Sequence, residues 1–342
     1  GLSAIVVTYY LMYQPVPDWI WIDIHSLFKL GESLSRETTK LPAEFNNQTK
    51  ITSIEESYKQ ILLLSLSHPN SLMQREIPQV YQFIEPLCNL LQIEPKTVTQ
   101  QKIQCIVRMD DDKPPAFQYS QVKIEEPGLR YINFDKLIKF FHKNKEKHID
   151  PESARFSTIR NQNTPPAFKL PVELLEFLER KWHAFEAQGI VAFTDRLDRH
   201  ISFGLEAAHD LQSSNISQGE ESIEFIAQSA SERSLICEFD NPSILSIGSM
   251  ISFRKKDLPK HKRALGVISK IGLLKQNNKI NFEIEILAVQ FFAVGFEYID
   301  EKKPLRKKAL LYGLKEPGKE EKSFIIIESF MIKNGDIIRL FM

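Results

Sequence analysis

An α+β architecture, a helical N-terminal domain followed by a C-terminal antiparallel β-barrel, is predicted by three features of this chain. Apolar residues recur at helical spacing through most of the first 145 positions. From Leu235 onward the character changes to short β-rich runs: ICEF, SMISF, ALGVISKI, NFEIEILAV, FFAVGFEYI, KALLYGL, SFIIIESF and DIIRLF. Turn formers separate these runs, including Asn241-Pro242, Leu258-Pro259, Asn277-Asn278, Glu316-Pro317-Gly318 and Asn334-Gly335.

The opening stretch to Tyr13 is apolar, has no basic segment before it and is too short to span a bilayer, so it reads as a helix of the fold. The absence of a starting Met suggests a chain that begins inside a longer protein. Asp18 is a candidate N-cap for a helix carrying Trp21, Ile24 and Phe28 on one face. The polar residues 38–52 read as a loop. Two amphipathic helices follow, one with Ile54, Tyr58, Ile61 and Leu62, the other with Val80, Phe83, Ile84, Leu87 and Leu91. His68-Pro69-Asn70-Ser71 breaks the chain between them, which predicts an antiparallel helical pair. The run 103–109 alternates like a strand, and Phe134, Leu137, Ile138 and Phe141 mark a short helix behind Asp135.

Residues 143–170 are polar and aperiodic, the mark of a long surface connection. Pro171 opens a helix with Leu175, Leu178, Trp182 and Phe185 on one face, expected to end near Gly189. These features divide the chain into a mainly helical domain (1–145), a linker with a connecting helix (146–195) and a barrel domain (196–342), with a mobile insertion at 212–234. In the barrel, Phe282, Ile284 and Ile286 alternate with Glu283 and Glu285, one face in and one out. Seven or eight strands in so short a stretch favour closure, which removes exposed edges.

A length of 342 residues is enough for two cores, and 42% apolar with 26% charged residues is ordinary globular composition. Formal charge is zero, which argues against DNA or RNA as the partner of the whole chain. Cys88, Cys105 and Cys237 have no metal-type spacing and read as buried free thiols of a reducing, cytoplasmic compartment. No apolar run reaches the length of a membrane span.

Catalytic and metal motifs do not occur: there is no G-x-S-x-G, H-E-x-x-H, phosphate-binding P-loop or G-x-G-x-x-G, and the glycines are scattered. An enzyme is therefore not expected, nor a cofactor. His25, between Trp21 and Phe28, reads as a core or interface histidine, and His209 as one that hydrogen-bonds a barrel strand. Asp110, Asp111 and Asp112 lack the spacing of a calcium loop and read as a solvated turn.

The basic residues carry more information. Arg254, Lys255, Lys256, Lys260, Lys262 and Arg263 crowd one loop between two predicted strands. Residues 249–342 hold 19 Lys and Arg against 11 Asp and Glu, so the loop is either a solvated rim or a site for anions such as phosphates. Arg196 and Arg199 precede the HISFGL strand, and guanidinium forks suit both phosphate oxygens and the guanine edge. Asp195 and Asp198 interleave with them, so local ion pairing explains the pair equally simply.

With these residues in view, Arg196 to Met342 resembles the C-terminal module of divergent bacterial PilZ-type proteins. The likeness rests on Arg196 and Arg199, GLEAAH (204–209), FDNPS (239–243), IGSMISF (247–253), LGVISK (265–270), EIEILA (283–288) and the ending from Ala309 to Leu340. WIWIDIHSLFKLGE (19–32) and ESYKQILLLSLSHPNSL (56–72) resemble the helical region of the same two-part family. PilZ barrels are receptors for cyclic di-GMP, using an R-x-x-x-R linker and a (D/N)-x-S-x-x-G strand. The resemblance implies that Arg196 and Arg199 clamp guanines and phosphates, that Asn241 and Ser243 make polar contacts, and that Arg254 adds charge. It further implies a cytoplasmic, non-enzymatic effector that relays binding to a protein partner through the helical domain. Two departures stand out: the arginines are spaced R-x-x-R, and Ser246 occupies the motif's glycine position. They leave open an alternative, a degenerate barrel without nucleotide that acts as an adaptor in pilus or surface-attachment regulation.

Overall fold

A computed structural model describes residues 1–45, 48–95, 103–119, 128–145, 170–183, 193, 195, 197–213, 224–239, 245–274, 279–299, 306–314, 322–329, 331–333 and 335–342. Two compact units divide the chain between Ala187 and Gln188.

The first unit runs α1 (Leu2–Leu11), α2 (Ile20–Ser33), β1 (Leu41–Phe45), β2 (Gln48–Thr52), α3 (Ile54–Leu66), α4 (Glu76–Ile84), β3 (Gln92–Glu94), β4 (Ile103–Arg108), β5 (Ala116–Tyr119), β6 (Leu129–Asn133), α5 (Asp135–Lys145) and α6 (Val172–Trp182). Helix α3 is its axis. Tyr58, Ile61, Leu62, Leu63, Leu64 and Leu66 are all buried, because α1, α2, α4 and α6 pack around it. Its start is set by a capping box. Ser53 Oγ accepts from the Glu56 amide and Glu56 Oε2 accepts from the Ser53 amide, both at 3.2 Å.

The helical pair α3 and α4 forms as the spacing predicts. Three expectations are corrected. Residues 41–45 and 48–52 pair as a hairpin where the sequence reads as a loop. A four-stranded antiparallel sheet, β3-β6-β4-β5, accompanies the helices; its strands are short, and only β4 shows in the sequence. The N-cap position of α2 is Trp19, not Asp18, and Asp112, 90 residues beyond Ile22, accepts the amides of Trp19 and Ile22. A cap reached through tertiary structure cannot be read from neighbouring positions. The acidic run is therefore a structural brace, with Asp110 2.6 Å from Lys29 Nζ. His25 is fully buried, its Nδ1 2.8 Å from the Tyr58 hydroxyl and its Nε2 2.9 Å from the Lys113 carbonyl, as a core histidine should be.

Helix α6 stops at Trp182, with 184–190 outside the described residues. It belongs to the first unit, not to a separate linker. Trp182 Nε1 donates to Leu63 O at 3.3 Å and to Ser67 Oγ at 3.2 Å. Cys88, Cys105 and Cys237 are buried. Among the described residues, no helix is long and apolar enough to cross a membrane.

The second unit begins with β7 (Arg199–Phe203), α7 (Leu205–Gln212), β8 (Phe225–Ser229), β9 (Ser234–Glu238), β10 (Met250–Lys255), β11 (Ala264–Leu273) and β12 (Lys279–Ala288). The six strands close an antiparallel barrel in the order β10-β11-β12-β9-β8-β7. Its interior holds Ile201, Leu235, Ile251, Phe253, Ile268, Ile280, Phe282 and Ile284; of the alternating set expected for β12, Phe282 and Ile284 are buried and Ile286 is half-buried. Register shifts at Leu265/Gly266 and Ile268/Lys270 bend β11 along its length, the local irregularity that helps a small barrel close.

Closure is achieved differently from the sequence reading. The expected insertion at 212–234 contains barrel strand β8, and the last four runs leave the barrel. They form a second sheet, β13 (Phe292–Tyr298), β14 (Lys307–Leu314), β15 (Lys322–Ile326) and β16 (Ile338–Phe341), ordered β15-β14-β13-β16. The chain turns away from the barrel at Phe291. That ring is buried with Ala208 of α7, Leu265, Ala288 and Leu310, so α7 fills the space between barrel and sheet. His209 sits 3.3 Å from Asp210 instead of bonding a barrel strand, and Asp210 in turn holds Lys308 of β14.

Candidate functional site

One end of the barrel carries most of the charged side chains that the sequence singles out. Strand pairing brings Lys255 opposite Arg199 and Arg254 opposite His200. The β10–β11 turn adds His261, Lys262 and Arg263, and the β12–β13 turn adds Val289 to Phe292. These segments border an open hollow of about 520 Å³, within the size range of small-ligand sites. Its lining includes Arg199, Arg254, Lys255 and Lys262 together with Phe292, Val289 and Gln212.

The buried arginines here are held by internal carboxylates. Glu224 accepts from Arg254 Nε at 3.1 Å and Nη2 at 3.0 Å, a two-pronged pair, and also from Arg263 Nη1. Arg254 Nη1 donates further to the carbonyls of Lys256 (3.2 Å) and Leu258 (2.7 Å). Arg263 reaches Ser252 Oγ at 2.8 Å and Ser202 Oγ at 3.3 Å, and these two hydroxyls lie 2.7 Å apart. Burial alone would raise the Glu224 carboxyl, but the bonds and charges of both arginines overcome it and bring it down to about 2. Burial draws Arg263 down from its ordinary value, with Glu224 opposing. It likewise lowers His200, helped by the positive charge of Arg254.

Arg199 is held in the same way. Its Nη2 lies 2.5 Å from Asp195 Oδ1, its Nη1 donates to the Leu197 carbonyl at 2.6 Å, and its guanidinium stands 5.3 Å from the Phe193 ring centre. Lys255 takes the other oxygen of Asp195 at 2.8 Å. Hydrogen bonds from Lys255 and Arg199 hold the Asp195 carboxyl well below the usual carboxylate range. Local ion pairing thus describes Arg199, while Lys256, Lys260 and Lys262 remain exposed on the rim.

Of the five residues that sequence reasoning places in a ligand site, the structure brings Arg199 and Arg254 to one cavity. Arg196, Asn241 and Ser243 lie outside the described residues. Glu224 is the residue that the reading misses. It lies inside the segment taken as an insertion, and nothing local marks it as the counterion of arginines 30 and 39 positions later. Phe292 and Gln212 are missed as well, because FFAV and DLQS carry no motif.

Comparison with known proteins adds a second kind of observation. Residues 1–97 match a family model described as the N-terminal domain of the cyclic-di-GMP receptor FimW. The chain is similar to the cyclic-di-GMP receptor FimW of Pseudomonas aeruginosa, at 23% identity over 171 residues. That match covers 50% of this chain and 27% of the relative, so it spans about a quarter of the relative's length. No solved structure matches the chain. The family model thus falls within the first unit, and the cavity lies in the second. Among the described residues, no cluster of His, Cys, Asp or Glu is arranged to hold a metal ion.

Proposed function

We propose that this protein is a non-enzymatic receptor for cyclic di-GMP that binds the dinucleotide at the barrel, through a PilZ-type module, and passes the signal to a protein partner through its helical domain. The carrying observation is the match of residues 1–97 to the FimW N-terminal domain, a domain named for a cyclic-di-GMP receptor. The cavity supports the reading from the other side. Lys255, His261 and Lys262 border a space of ligand size, beside the strand that Arg196 and Arg199 lead into. Lysine and arginine around such a space attract phosphate oxygens, and an arginine presents a planar cation to guanine. Binding is passed on if two states of the protein differ in affinity for the ligand.

A second reading is favoured by one observation: both described arginines of the expected site are already committed to carboxylates. On that reading the barrel has lost the nucleotide and serves as a protein–protein adaptor in pilus or surface-attachment regulation. Calorimetric titration of the purified chain with cyclic di-GMP separates the two. The receptor reading expects saturable binding that Arg196→Ala and the rim variant Lys262→Glu each weaken. Neither heat nor a thermal shift at saturating dinucleotide leaves the adaptor.

A further inference from the structure

The cavity has lining residues that the charge argument does not use. Phe292 opens β13 and is 59% exposed, whereas its neighbour Phe291 is 1% exposed and fills the core below. Phe292 shares its strand face with the buried Val294 and Phe296, and stays open because it is the first residue of β13. Val289, 75% exposed, flanks it on the same turn. An open aromatic ring beside lysines is a surface on which a flat heterocycle stacks while its phosphate meets the cations.

Gln212, at the end of α7, lines the same cavity. Its Nε2 donates to the Phe291 carbonyl at 2.9 Å, which fixes which way round the amide sits. Its Oε1 is buried and has no hydrogen-bond partner. An acceptor left in that state is unfavourable, and a turn of the side chain toward the cavity, where a bound molecule supplies a donor, relieves it. The residue next to the aromatic ring's own neighbour is thus an amide held by one end and short of a donor at the other.

We propose that Phe292 and Gln212 form the base-reading part of this site: Phe292 carries the face of a purine, and Gln212 Oε1 accepts from its N–H edge. Guanine suits this acceptor, because its N1–H and N2 amino group present adjacent donors, whereas adenine offers an acceptor at N1. The assignment rests on the receptor reading and adds to it which residues select the base. Lys255, His261 and Lys262 then deal with phosphate alone and carry no base preference.

Titrations of the wild-type chain and of Phe292→Ala, Phe292→Trp and Gln212→Met with cyclic di-GMP and cyclic di-AMP test it. Loss of the stacking face in Phe292→Ala weakens both dinucleotides by about tenfold or more. Phe292→Trp retains binding, and its added tryptophan emission is quenched as the base stacks. Gln212→Met keeps the side-chain volume and lowers the preference for guanine over adenine by about tenfold. Thermal melts of each variant that match wild type show that the barrel is intact; Phe292→Trp serves where Phe292→Ala does not fold. Wild-type binding that all the variants retain unchanged, with the guanine preference intact, overturns the assignment and leaves the receptor reading standing. No binding by the wild-type chain overturns both.

Discussion

Glu224→Gln tests the electrostatic centre of the barrel end. The carboxylate accepts three hydrogen bonds from two arginines, and the Arg263 side chain is fully buried. The amide keeps one acceptor oxygen, turns a donor toward a guanidinium and leaves two cations facing each other without a counterion. Removing one partner of a buried ion pair is worth about 3–5 kcal/mol of destabilisation. Arg263 keeps its bonds to Ser252 and Ser202, and Arg254 keeps two carbonyls, so we expect the lower end, about 3 kcal/mol. With a urea dependence of about 1–3 kcal/mol per M, the midpoint moves down by roughly 1–3 M. The assay can address the units separately. All three tryptophans, Trp19, Trp21 and Trp182, lie in the first unit, so their emission follows that unit while far-UV circular dichroism follows both. The expected result is a dichroism transition that shifts and a tryptophan transition that stays. Acid gives a second arm. Glu224 is lowered from its ordinary 4.5 to about 2 in the folded state, so its stabilisation is complete above about pH 4.5 and disappears as pH falls toward 2. Glu224→Gln should lack that part of the acid transition. A dichroism midpoint unmoved in the variant, or a tryptophan transition that shifts with it, refutes the reasoning.

His25 sets a pH dependence for the first unit. Burial holds it below 6.5, so the unfolded chain takes up a proton that the folded unit refuses, and stability falls as pH drops below about 6.5. Tryptophan-detected melts at about pH 8 and about pH 5 should show this loss, and a slope unchanged in His25→Asn would count against it. In the barrel, a Cβ on Gly266 would lie 2.6 Å from Ile284 Cγ2 and 2.8 Å from the Glu285 carbonyl. Gly266→Ala should therefore cost about 1–3 kcal/mol by overpacking, read as a lower barrel midpoint by dichroism. Equal stability would mean that β11 and β12 are looser there than their register shift indicates.

Periodicity carried far in this chain wherever a pattern repeats along one element. The stripe around Tyr58 and Ile61 places α3, Pro171 marks the start of α6, and the alternation of Phe282 and Ile284 places a barrel strand. It failed where an element is short or borrows its stability from elsewhere. The hairpin at 41–52, strand β8 within 212–234, and the cap of α2 by Asp112 leave no periodic trace at their own positions.

The candidate site divides along the same line. That a basic loop sits on a barrel is written in Arg254, Lys255, Lys262 and Arg263. Which of those cations are already neutralised is not, because Glu224 and Asp195 find them through strand pairing and closure. The exposed ring of Phe292 and the orphan acceptor of Gln212 likewise exist only once Phe291 is buried between α7 and the second sheet. By itself the sequence determined the α+β class, the two helical stripes and the β-rich character of the last third, since each depends on spacing within a few residues. The tertiary structure alone decided which strands close the barrel, which arginines are spent inside it and what the cavity presents to a ligand. Those outcomes depend on Coulomb attraction and packing between groups that the chain separates by tens of residues.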